Sequence, residues 1–530
     1  MSGRRVMVLY AALLLGFSIV LCRLYLLAEN LSYADRAAAQ ATVTLSLPAR
    51  RGNFYDHDGL LLTGQEAQYL ALCFPGENNY ARLYEETNSA GQALLYQNRN
   101  RSTPFLLEVS HDLSALGVSC YTSARRYAKI PLCQHLIGYL DGSGHGAVGL
   151  EKIFDENLFG TGNGDTVTCA VTAQGKLRAR EMPQLTRQDS GAAGVQLTIS
   201  RSVQRAAEAI AEEMMSSGCI LVMDAQTAAV RASVSMPGYD PQDLAGSLDA
   251  PSSPFLNRVL ESYAVGSVFK PVLAAAALEE NVLPEYECTG AVVVNGQIFR
   301  CAGGIPHGEV DLSAALEKSC NGYFIRLGQA IGAQKLLNKA EAFGFGQECA
   351  DAVLNADTGN LPTADELSQS GQLANFSFGQ GSLMASPLQV AAMVNAIASG
   401  GVYRTPFFLE YTLDEADGTP LEVLAHPQAQ RVMTRENAAA LRKMLEQVVE
   451  EGTGQDAAGL TGGAGGKTGT AQTGQFTPEG TERKNLWFAG FYPADKPRYT
   501  IVVLQDGQVS PACSSAAIFA QMCTALHLLG

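Results

Sequence analysis

The apolar positions of this chain fall into runs of three kinds, each predicting a different element. Residues 6–22 carry no charge, and the stretch continues to residue 28 with Arg23 as its one charged member, long enough for a helix that spans a bilayer. Past residue 194, VQLTIS predicts a strand and residues 203–215 a helix with apolar positions at helical spacing. Residues 219–236, CILVMDAQTAAVRASVSM, predict two strands joined by a polar turn, the start of an antiparallel sheet. Residues 467–473, 485–492 and 499–507 predict further strands, and residues 514–529 a closing helix. Residues 264–280, AVGSVFKPVLAAAALEE, predict a buried helix that begins near Ser267. Gly266 ends what precedes, Pro271 is tolerated only in a first turn, and the alanines suit a helix packed closely on all sides. In the N-terminal part, residues 31–42 predict a short helical stem and residues 43–47 a strand, and Asp58-Gly59 a hairpin-type turn into Leu60. Residues 79–110 are polar, without clear periodicity. The fold class expected is α+β, with a boundary near residues 190–194.

Composition narrows the function. With 37 basic against 52 acidic residues and a net charge of −15, the chain lacks the basic surface that nucleic-acid binding needs. Arg4 and Arg5 precede the apolar run and Glu29 is the first acidic residue, so the positive-inside rule leaves residues 1–5 in the cytoplasm and exports the rest. A cleaved signal peptide with Ala37-Ala38-Ala39 as its site is the other reading; the length of the run, 6–28, favours an anchor. Twelve cysteines are scattered without a C-x-x-C pair. Cys288 and Cys301, flanking the strand-like AVVVNGQIF, form the one local pair to test as a bridge, and buried thiols are the equal alternative. Seven histidines show no metal spacing, so neither metal nor cofactor is expected.

Two glycine-rich motifs mislead. Residues 144–149 match G-x-G-x-x-G between a strand-like HLIGYL and a helix-like LEKIFDENL, but no alternating strands and helices surround them, so turn chemistry explains the match. GGAGGKT, residues 462–468, has Thr461 where a Walker A motif needs glycine. More informative is Ser267 with Lys270 one helical turn on, which lets an amine take a hydroxyl proton. S-x-x-K alone is weak, since roughly two matches arise by chance in a chain this long and an N-capping serine beside a solvated lysine explains them. It is followed by Ser319-Cys320-Asn321 and by Lys467-Thr468-Gly469-Thr470.

In that order the three motifs resemble those of penicillin-binding proteins and class A β-lactamases. RGNFYDHDG, GAVGLEKIFDENLFG, YAVGSVFKP, SCNGYF, FSFGQGSLMASPLQV, GGKTGTAQ and WFAGFYP extend the resemblance over nearly the whole chain, to class B penicillin-binding proteins. The chain departs from the pattern at His57-Asp58 and at Ala264-Val265, positions without chemistry, and no stretch resembles a glycosyltransferase domain. The resemblance implies an antiparallel sheet flanked by helices, residues 191–530, on an elongated β-rich pedestal, residues 29–190, behind a single membrane helix, with the catalytic domain outside the cytoplasm. It also implies a peptidoglycan D,D-transpeptidase that cross-links stem peptides of lipid-linked or nascent glycan, is acylated by β-lactams and works beside a membrane glycosyltransferase. On it, Ser267 is the nucleophile and Lys270 the base, with its amine held neutral by burial beside the charge of Lys467. Ser319 relays the proton, Asn321 orients Lys270 and the substrate amide, and Lys467, Thr468 and Thr470 hold the terminal carboxylate. The strand around Gly469 pairs with the peptide, and the N–H groups of Ser267 and Thr470 form the oxyanion hole. A β-lactamase, a β-lactam sensor and a non-catalytic scaffold for a glycosyltransferase are the competing readings. The membrane anchor and long N-terminal region count against the first two, and the intact Ser267 and Lys270 against the third.

Overall fold

The computed structural model describes residues 3–29, 41–48, 50–75, 80–101, 103–160, 164–172, 176–178, 181–188, 191–349, 354–424 and 429–530. The predicted stem at 31–42 and the candidate cleavage site fall almost wholly outside them. The first element is a 27-residue helix, Gly3–Glu29, exposed throughout and long and apolar enough to cross a membrane.

The chain divides into two compact units. The smaller comprises Met1–Arg51, Glu66–Arg125 and Thr161–Gly191. It contains one three-stranded sheet ordered Thr42–Ser46, Thr166–Ala170, Gln184–Thr186 and another ordered Phe105–Val109, Glu66–Cys73, Cys120–Arg125. The larger comprises Gly52–Gln65, Arg126–Gly160 and Ala192–Gly530. Residues 52–65 and 126–160, which the sequence reading places in the pedestal, thus belong to the larger unit. Phe54–Tyr55 pairs in parallel with Ala193–Leu197, and Leu132, Ile137, Leu150 and Leu158 are buried in that unit's main core. HLIGYL is not a strand either: Gln134–Ile137 is a short helix, and Gly149–Ile153 and Asp155–Phe159 are two more.

The larger unit is built on a five-stranded antiparallel sheet ordered Val230–Met236, Gly218–Asp224, Tyr499–Gln508, Glu482–Tyr492, Gly465–Phe476. Its central strands read as continuous apolar runs because both faces are covered. Cys219, Leu221, Val502, Leu504, Trp487 and Ala489 face the main core. The alternate residues Ile220, Val222, Ile501, Val503 and Phe488 face a second core closed by the helices Arg201–Met214 and Ser515–Leu529. On the main-core side lies the helix Lys270–Glu280, buried from Lys270 to Ala277. It starts three residues later than the sequence predicts. Gly266–Phe269 form a tight 3-10 turn, and Pro271 occupies the first α-helical turn, where its missing N–H costs nothing. Cys288 and Cys301 are both free thiols, their sulfurs 3.7 Å apart.

Candidate active site

Ser267 rides on the 3-10 turn, and contacts from two sides fix that turn. From one side, the Gly266 N–H donates to Gly379 O at 2.8 Å. Gly379 has a φ of +80°, and a Cβ there would lie 1.9 Å from Gly266 O, so the segment at residue 379 can approach only without a side chain. From the other, the edge strand Gly465–Phe476 passes so close that a Cβ on Gly469 would lie 2.9 Å from Val268 Cγ1. Trp487, opposite Gly469 in the sheet, donates from Nε1 to Ala264 O at 3.0 Å. Beneath the turn, Phe269 packs against Phe345 and Phe376, with ring centroids 5.2 and 5.0 Å away.

Lys270 is fully buried at the start of its helix, and its amine donates to Ser319 O at 2.8 Å, Ser319 Oγ at 3.0 Å and Asn321 Oδ1 at 2.7 Å. The two motifs meet because Leu312–Glu317 ends just before Ser319 and the next helix, Asn321–Ile331, starts at Asn321. Ser319 takes a left-handed φ of 53° to make the corner. Asn321 is held from behind by its Nδ2, which donates to Arg300 O at 3.0 Å. All three hydrogens of a charged Lys270 amine thus have acceptors on the S-x-N turn. The sequence reading directs that amine to Ser267; in the structure its hydrogen bonds go to Ser319 and Asn321.

Lys467 is the second buried lysine of the site, 1% exposed. Its amine lies 3.2 Å from Thr468 O, 3.2 Å from Thr468 Oγ1 and 3.4 Å from Thr453 Oγ1, and the two threonine hydroxyls are 2.7 Å apart. Thr468 is half-buried and Thr470 exposed, while Gly469 between them is buried, as strand alternation requires. Thr453 is a site residue the sequence reading misses, since no motif marks it. So is Gln380, whose Nε2 donates to Thr470 O at 3.4 Å.

Burial pushes the Lys270 amine down to about 7, against an opposing pull from Cys320 and Cys301. Lys467 is pushed well below the usual lysine range, first by burial and second by the charge of Lys270. The sequence reading credits the charge of Lys467 with part of the shift at Lys270. Burial is the larger cause at both amines, and the repulsion is felt at Lys467. A hydroxyl on a turn, a buried amine able to be neutral near pH 7 and a second amine beside an open strand edge form a constellation for acyl transfer.

The model of the penicillin binding protein transpeptidase domain matches residues 218–523, more than half of the chain. The chain belongs to this penicillin-binding protein transpeptidase family. Among curated relatives, it is 31% identical to the stage V sporulation protein D of Bacillus subtilis over 72% of this chain and 60% of that one. It is 28% identical to the peptidoglycan D,D-transpeptidase PbpA of Mycolicibacterium smegmatis over 81% of this chain and 85% of that one. In fold it is similar to a chain in a solved structure concerning a peptidoglycan synthase complex that coordinates polymerization and crosslinking. That match has a TM-score of 0.72 and 22% identity, over 99% of this chain and 98% of that one. As a class B penicillin-binding protein it has the mixed fold that the motifs imply, with its N-terminal apolar helix fitting a single membrane anchor.

Proposed function

We propose that this chain is a peptidoglycan D,D-transpeptidase working through a serine acyl-enzyme. The observation that carries the reading is the Lys270 amine, fully buried between Ser267's turn and the S-x-N corner and lowered to about 7. An extended stem peptide adds to the open edge of Gly465–Phe476 as a further strand, its terminal carboxylate held by Lys467, Thr468 and Thr470. Neutral Lys270 takes the Ser267 proton as Oγ attacks the carbonyl carbon between the last two D-alanines. The developing oxyanion is received by the N–H groups of Ser267 and Thr470; such aimed donors are worth about 3–4 kcal/mol each. The C–N bond breaks, and the proton on Lys270 passes through the Ser319 hydroxyl to the departing D-alanine amine, leaving an ester on Ser267. An amine from a neighbouring stem then attacks the ester and gives up a proton to Lys270, which returns it to Ser267 Oγ as the ester C–O bond breaks. Asn321 holds Lys270 and the substrate amide in line.

The helix Gly3–Glu29 anchors the chain, with Arg4 and Arg5 on the cytoplasmic side and the chain beyond the helix outside. The likeness to a chain from a synthase complex supports a membrane glycosyltransferase as partner. The test is mass spectrometry of the full chain in detergent after exposure to benzylpenicillin, whose strained ring stands in for the acyl donor. One opened β-lactam on Ser267 is expected, and none on Ser267→Ala. An adduct elsewhere, or none on the wild type, overturns the assignment.

A further inference from the structure

Behind the S-x-N corner three thiols and an imidazole converge. Cys288 ends the strand Tyr286–Cys288, which pairs antiparallel with Gly308–Val310. His307 stands just before that second strand, its N–H donating to Cys288 O at 3.1 Å. Cys301 follows the hairpin of Ala291–Val294 and Gln297–Arg300, its N–H bonded to Gly290 O at 3.0 Å. Cys320 is the N-cap of the helix Asn321–Ile331. The three cysteines are 1, 3 and 0% exposed, and the four donor atoms lie within 4.8 Å of one another.

The separations discriminate between explanations. Burial as small hydrophobes accounts for each thiol alone, but not for three meeting an imidazole. A disulfide needs sulfurs about 2.05 Å apart and would leave the third thiol and the histidine unused. Tetrahedral zinc, with Zn–S of about 2.3 Å and Zn–N of about 2.0–2.1 Å, sets ligand edges of about 3.8 Å between sulfurs and about 3.6 Å from sulfur to nitrogen. Three of the six edges fall near these values, 3.7 Å for Cys288–Cys301, 3.9 Å for Cys301–Cys320 and 3.4 Å from Cys288 Sγ to His307 Nδ1, and the other three are within 4.8 Å. We propose that Cys288, Cys301, His307 and Cys320 form a closed tetrahedral zinc site. Binding turns three thiols into thiolates and releases three protons. The ligand spacings, 13, 6 and 13 residues, follow no short metal motif, which is why the expectation that no metal binds is not retained.

The site also bears on the catalytic corner. Cys320 stands between Ser319 and Asn321, the two acceptors of the Lys270 amine, and Ser319 has a backbone conformation that non-glycine residues hold only when their surroundings enforce it. An ion on Cys320 ties that corner to both hairpins, making Cys320 a positioning residue.

The test uses the full chain, purified in detergent with a thiol-free reductant and no chelator. Elemental analysis should find one zinc per chain, and exchange with cobalt should give thiolate-to-cobalt charge-transfer bands and the d–d bands of a tetrahedral ion. His307→Ala should lose the metal and His307→Cys, a four-thiolate set, should keep it. Stripping zinc should slow benzylpenicillin acylation about tenfold or more and expose Cys288, Cys301 and Cys320 to alkylation while Cys523 stays protected, with zinc restoring both. If the variants fail to fold, the wild-type stoichiometry and cobalt spectrum decide. A chain that takes up no zinc when offered it, or a Cys288–Cys301 disulfide in protein isolated from membranes, overturns the site. Stoichiometric zinc with unaltered acylation after stripping overturns the positioning role.

Discussion

The pH dependence of acylation tests the origin of the base. A solvated lysine, with its pKa near 10.4, is neutral in only about one molecule in 2,500 at pH 7. Burial brings Lys270 to about 7, which makes about half the molecules competent at that pH, a difference of about 5 kcal/mol between protonation states. In the proposed mechanism the neutral amine is the base, so the sign is fixed: protonation at low pH removes activity and deprotonation restores it. Measured with a fluorescent penicillin under single-turnover conditions, the acylation rate constant should rise about tenfold per pH unit below about 6, bend near 7 and level off above about 8. The Lys467→Met variant separates the two causes. Because burial is the main cause at Lys270, the bend should stay within about half a unit of its wild-type position even as the rate falls. A bend that moves up by more than about one unit would make the charge of Lys467 the cause. A wild-type rate still climbing tenfold per unit through about pH 9 would refute a buried, neutral Lys270 altogether.

Three further outcomes are expected. Lys270→Ala should lower acylation by about two to four orders of magnitude with the far-ultraviolet circular dichroism unchanged; near-normal acylation would assign the base to another residue. Gly379→Ala, whose Cβ would lie 1.9 Å from Gly266 O, should displace the Ser267 turn and slow acylation severely, while Gly480→Ala, also at positive φ but with open space around its Cβ, should leave it near wild type; equal effects would mean that strain and not the clash matters. The penicilloyl adduct should persist for many minutes while a chromogenic cephalosporin is turned over slowly, and rapid Ser267-dependent hydrolysis would favour the β-lactamase reading.

How much of this was legible in the sequence depended on whether a feature is local. The central strands could be read because apolar runs such as CILVMD need two covered faces, and Pro271 placed the nucleophile helix to within three residues. Ser267, Lys270, Ser319, Asn321 and Lys467 could be read because fixed spacings carry them, and Lys270 meets Ser319 and Asn321 in space. Contacts between distant segments were not legible. Thr453 reaches Lys467 from a glycine-rich loop whose composition does not name its partner, and Gly379 matters only because Gly266 comes to lie against it. Residues 126–160 were assigned to the wrong side of the boundary because their apolar positions show that they are buried but not against which core. The four zinc-ligand candidates come from separate elements, and neither the cysteine nor the histidine pattern alone contains the site.

The open edge of Gly465–Phe476 shows how the fold reconciles two opposed demands. A strand that accepts an extended peptide must leave its N–H and C=O groups unpaired, and such an edge invites pairing with any other chain. Here the exposed stretch is short. Its first residues, Gly465 to Lys467, are buried, the Ser267 turn packs against Gly469, and Gln380 reaches Thr470 O from the open side. Past Gln472 the register with the neighbouring strand shifts before Phe476, and such an irregularity twists an edge away from flat pairing. What remains is a few residues around Thr468 and Thr470 with the buried amine of Lys467 beneath one end, a group that burial and the charge of Lys270 hold well below the usual lysine range. On the proposed function, the terminal carboxylate of the stem peptide supplies the negative group that favours a charged Lys467, so the group that marks the substrate also makes the edge selective.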